Sequence, residues 1–110
     1  MNVTYRNTLE DLLKSARSPS KVHSFEYKNC FGAVAGYVRG HIFISCGRFG
    51  VALKLPSETF EHLFQEGSAK HLQYFPNGHI KKEYAVLSKK ILNNRRAFNK
   101  LLMISIDYTI

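Results

Sequence analysis

Residues 33–55 can be laid out in very few ways. They hold three short apolar runs, 33–38, 41–46 and 51–55, separated by Arg39-Gly40 and by Gly47-Arg48-Phe49-Gly50. A two-residue loop ending in glycine marks a tight hairpin, because the primed turns that suit strand twist need positive φ. Parallel strands need a crossover of a dozen or more residues, and none fits here. The three runs are therefore read as an antiparallel meander. Residues 21–28 precede it with a period of two: Phe25 and Tyr27 point one way, and Ser24, Glu26 and Lys28 the other. That alternation describes a fourth, half-exposed strand.

Helical patterns flank the meander. Thr8 is placed as an N-cap with Glu10 and Asp11 in the first turn, and Leu9, Leu12, Leu13 and Ala16 follow one helical face. Ser18-Pro19-Ser20 stops that helix. After Pro56, Ser57 is read as the cap of a second helix, with Glu58 and Glu61 near its start. Phe60, Leu63 and Phe64 form its buried stripe, and Gly67 is its stop. Residues 71–87 read as a second, looser hairpin with arms 72–75 and 80–87 around Pro76-Asn77-Gly78. Ser88 caps a last helix over 89–102, with Ile91, Phe98, Leu101 and Leu102 toward the core. Residues 104–110 alternate with period two and fit either a strand or a helix end. The expected fold is α+β: a single antiparallel sheet, a β-meander plus a second hairpin, with helices packed on it in two layers, in the order α-β-β-β-β-α-β-β-α.

With 110 residues, 45% of them apolar, the chain (1–110) is expected to be one domain with its own core. Its formal charge of +8 favours anionic partners. The surplus is uneven: residues 1–66 carry a net +2 and residues 67–110 a net +6. Two cysteines, Cys30 and Cys46, are too few for a disulfide scaffold. Neither a secretory signal nor an apolar run long enough for a membrane span is seen. The expected setting is the cytoplasm, with no membrane partner.

Phe31-Gly32-Ala33, the Arg39-Gly40 hairpin and Val51-Ala52-Leu53-Lys54-Leu55-Pro56 together resemble the N-terminal domain of the TfoX/Sxy family. That family opens a strand with Phe-Gly-Gly, turns at Asn-Gly, and ends a short strand before a proline-containing helix start. Phe75-Pro76-Asn77-Gly78-His79-Ile80-Lys81-Lys82 is similar, loosely, to its Phe-x-Gly-x-Pro-Met-Lys-Gly turn. The likeness covers about residues 8–102. Ala33, Arg39 and His79-Ile80 depart from the family pattern. The resemblance implies a non-enzymatic regulatory or adaptor protein, working through protein–protein contacts in the transcriptional control of DNA-uptake genes. Its implied partner is a regulator such as the cyclic-AMP receptor protein. Dimerisation is also implied, and the alternating tail 104–110 suggests an edge for a homodimer.

No constellation for covalent chemistry stands out, and no cofactor or metal is expected. Fifteen residues separate Cys30 from Cys46, unlike the close pairs of zinc sites, and His23, His41, His62, His71 and His79 are scattered. Gly32, Gly36 and Gly40 lie in strands and turns and lack the strand-to-helix context of a phosphate loop. The informative feature is basic. On one continuous helix Lys89, Arg96 and Lys100 share a face, with Lys90 and Arg95 beside it and no acidic residue from 84 to 106. Lys81 and Lys82 precede it. Arg48 and Phe49 sit on a hairpin tip, where a core role is hard to find. The expected contacts with a protein partner or nucleic acid are thus Arg48, Phe49, Lys81, Lys82, Lys89, Lys90, Arg96 and Lys100. A nucleic-acid-binding domain using the basic helix is the alternative to the adaptor. A solvated helix face is the plainer reading of the same charges.

Overall fold

The computed structural model describes residues 3–15, 25–30, 32–73, 78 and 80–110, with Ser15, Lys81 and Lys82 described by backbone alone. The expected helix stop at Ser18-Pro19-Ser20, the strand start at 21–24, Phe31, the Pro76-Asn77 turn, His23, His79 and the side chains of Lys81 and Lys82 lie outside the described residues. The elements are α1 (Val3–Ser15), β1 (Phe25–Cys30), β2 (Ala33–Val38), β3 (His41–Gly47), β4 (Gly50–Lys54), α2 (Ser57–Gln65), β5 (Ala69–Leu72), β6 (Lys81–Leu87), α3 (Lys89–Leu92) and α4 (Arg95–Thr109).

The strands form one sheet in the order β1-β2-β3-β4-β6-β5, and every ladder is antiparallel. The expected α+β class and meander are therefore present. Arg39 and Gly40 both take positive φ, +52° and +82°, so the first hairpin closes through a two-residue primed turn. The chain leaves β4, runs through α2 to the outer strand β5, and returns along β6 into the gap between them.

The helices share one face of the sheet. Leu9 and Leu13 of α1, Phe60 and Leu63 of α2, and Phe98, Leu101, Leu102 and Ile106 of α4 form one buried cluster. Val34, Ile44, Cys46, Val51, Leu53, Ala85 and Leu87 supply its sheet side. The residues between these point the other way. Lys28, Ala35, Ser45, Ala52, Val86 and Lys70 are paired neighbours across all six strands, a row with small residues at its centre and a lysine at each end. Ala52, Val86 and Leu72 make a small second cluster there, with Phe49 and Tyr84 against it.

Several local expectations are corrected. Thr8 is not a cap, because α1 starts five residues earlier; its hydroxyl donates to the Thr4 carbonyl one turn back (3.0 Å). Pro56, rather than Ser57, occupies the cap position of α2, with no side-chain cap bond. Phe64 is 43% exposed, because β5 is the outermost strand; its ring stacks on Phe60 and lies 4.9 Å from His71. β5 begins at Ala69 because Ala69 and Leu72 are its buried residues, with exposed Lys70 and His71 between them masking any period of two.

The last helix is two helices. Ser88 accepts a hydrogen bond from Ile91 N (3.4 Å) and starts α3 as expected. Asn94 then turns extended, and its side chain accepts from Ala97 N (3.1 Å), capping a new helix. The tail is the end of α4, with Ser105 and Ile106 buried. Residues 104–110 therefore offer no strand edge, and the sequence-level argument for a homodimer falls.

Candidate functional site

At one end of the sheet β4 begins, β6 ends and β5 begins. Three connections meet there: the Arg48-Phe49 turn, the Gly67 turn after α2, and Ser88 leading into α3. Together they bound a cavity of about 440 Å³. Its apolar walls are Phe49, Ala69, Val86, Leu87 and Leu92. Among the described residues its titratable lining is Lys70 and Lys89, with no acidic side chain.

Local rules place each wall. The α2 end is a Schellman motif, with Gly67 N donating to the Phe64 carbonyl (3.1 Å) and Ser68 N to the Leu63 carbonyl (2.9 Å). Ser88 N donates to the Ser68 carbonyl (2.9 Å), joining the α2–β5 turn to the end of β6. Phe49 depends on Gly47. A Cβ there would lie 2.8 Å from Phe49 Cε2 and 2.9 Å from Ala33 Cβ, so only glycine lets the ring fold back across the strand. Phe49 is thus half-buried against Ala52, Leu72 and Val86 while also lining the cavity.

Among the described residues the cations of this corner have no ion-pair partner. Arg48, Lys70, Lys89, Lys90, Arg95 and Arg96 are all exposed. Among the described residues the ion pairs lie elsewhere: Arg6 with Glu10, Lys54 with Glu83 and His62 with Glu66, each at 3.5 Å. Neither α3 nor α4 has an acidic residue in its first turn, and α4 opens with Arg95 and Arg96. Cations at a helix start oppose the helix dipole by about 0.3–1 kcal/mol each.

The expected contact residues are divided by this geometry. Phe49 and Lys89 meet in the cavity, with Arg48 on the adjoining tip and Lys90 on α3. The continuous stripe of Lys89, Arg96 and Lys100 does not exist, because the chain breaks at Asn93-Asn94. Arg96 remains exposed in the first turn of α4. Lys100 lines a separate groove of about 420 Å³ between α2 and α4, beside Glu58 and Glu66. Lys70 was missed by sequence reasoning, since a lone lysine between Ala69 and His71 carries no pattern of its own.

The remaining candidates that are described stand apart from this corner. Cys30 is partly exposed and Cys46 buried, and burial pushes the Cys46 thiol up, away from the reactive thiolate. Among the described residues no three metal-ligating side chains gather, and no helix is long and apolar enough to cross a membrane. The corner therefore offers two lysines and an aromatic side chain, with further exposed cations on the adjoining turn and helices. Comparison with protein-family models, with curated proteins and with solved structures found no match.

Proposed function

We propose that this protein binds nucleic acid, with phosphates held by the cations around the sheet-end cavity, and that it acts by binding rather than by covalent catalysis. One observation carries the reading: Lys70 and Lys89 line a cavity with no acidic residue among its described lining, and Arg48, Lys90, Arg95 and Arg96, exposed and in no ion pair among the described residues, stand on the turn and helices that adjoin it in the chain. Cations left without partners keep the compact state under self-repulsion, and a polyanion relieves it while releasing its own counterions. Arg95 and Arg96 at the start of α4 add a local conflict that a phosphate removes. Anisotropy titration with a labelled oligonucleotide at low salt tests this. Combined Lys89→Gln, Lys90→Gln, Arg95→Gln and Arg96→Gln substitutions should weaken binding about tenfold or more. Unchanged affinity would refute the assignment.

A second reading, a TfoX/Sxy-like cytoplasmic adaptor in the control of DNA-uptake genes, draws support from the order of elements and from Gly40 closing the hairpin where the resemblance has Asn-Gly. In that reading the same corner meets an acidic protein face. Co-migration with purified cyclic-AMP receptor protein on a sizing column, with no binding to DNA alone, is its signature.

A further inference from the structure

We infer that the sheet-end cavity takes an unpaired base from a single strand, so that the protein prefers single-stranded to duplex nucleic acid. The inference rests on the nucleic-acid reading above and narrows it. A surface that only neutralises phosphates can be convex and needs no apolar recess. Here Lys70 and Lys89 border a recess of about 440 Å³ with Phe49, Ala69, Val86, Leu87 and Leu92 among its lining residues. A duplex keeps its bases stacked inside and presents phosphates outward, so it leaves such a recess empty. A single strand can turn one base inward onto an aromatic side chain while its flanking phosphates meet lysines.

The polar groups suit that arrangement. Lys70 arrives from β5 and Lys89 from α3, so the two lysines line the recess from different elements. Ser88 Oγ accepts from Ile91 N and so keeps its own hydrogen for an acceptor on a base or phosphate. The Phe49 ring is held in place by its contact over Gly47, which makes it a rigid wall and not a loose tip.

The test compares three probes at one low salt concentration: an oligothymidine strand, an abasic strand of equal length, and a blunt duplex. The abasic strand keeps the phosphates and lacks only the bases. Oligothymidine should bind about tenfold tighter than the abasic strand, the usual size of one base–aromatic contact, and tighter than the duplex. Phe49→Leu, which keeps an apolar side chain over Gly47 but loses the aromatic face, should remove most of that difference and leave abasic binding unchanged. Its thermal melt establishes that the variant is folded. Lys90→Gln, outside the recess, should weaken both strands equally. Equal binding of oligothymidine and the abasic strand, or duplex binding as tight as single-strand binding, overturns the base pocket while leaving the phosphate-binding surface intact. Absence of binding to all three probes overturns both.

Discussion

Ser45 and Ser105 are both fully buried hydroxyls, yet only one has a partner among the described residues. The β2–β3 ladder shifts between Gly36 and Tyr37, which leaves Phe43 out of register. Ser105 on α4 donates to the Phe43 carbonyl (3.2 Å), satisfying an acceptor at the bulge. Ser105→Ala should therefore lower stability by about 1–3 kcal/mol in denaturant unfolding, the cost of leaving a buried acceptor unpaired. Ser45 sits between Ala35 and Ala52, and its hydroxyl is buried without a bond. Ser45→Ala should raise stability by about 1 kcal/mol in the same measurement. Arg39 gives a third case: it holds φ at +52° without being glycine. Arg39→Asn should raise stability by a few tenths to about 1 kcal/mol, since asparagine tolerates that region better. The serine roles are not legible in the chain, because each depends on a neighbour far away in sequence. The Arg39 strain is legible, because Arg-Gly stands where a primed turn needs two positive φ values.

At the level of elements, legibility follows how local the cause is. The meander is readable because its turns are two residues long and its runs are apolar. The caps at Ser88 and the stop at Gly67 are readable because both work through bonds three to five residues away. The break between α3 and α4 is not. Asn93-Asn94 suits a cap but equally a polar helix face, and the choice is made by packing of Phe98, Leu101 and Ile106 on the sheet. Removing that cap with Asn94→Ala should cost about 1 kcal/mol in thermal or denaturant unfolding. The tail was ambiguous for a similar reason. Ile104, Ile106, Tyr108 and Ile110 alternate, while Leu101, Leu102, Ser105 and Ile106 trace a helical stripe, and the buried stripe decides. Two of the residues that line the candidate site, Phe49 and Lys89, are legible in the sequence. Its concavity is not, because three turns distant in sequence make it.

The whole molecule divides its labour by face and by end. Helices cover one face of the sheet and build the main core. The paired acidic residues are Glu10 on α1, Glu66 just after α2 and Glu83 on β6, whereas the β3–β4 turn, β5, α3 and the first turn of α4 carry basic and no acidic residues. Five of the eight basic residues of 67–110, Lys70, Lys89, Lys90, Arg95 and Arg96, lie on these elements. The most direct test of the central claim is the dependence of single-strand affinity on salt concentration, measured for the native chain and for the variant with Lys89, Lys90, Arg95 and Arg96 all changed to Gln. Affinity should fall steeply with salt for the native chain, and the slope of log affinity against log salt should flatten by about 0.7 for each phosphate contact removed. Identical slopes for the two proteins would contradict a phosphate-binding corner.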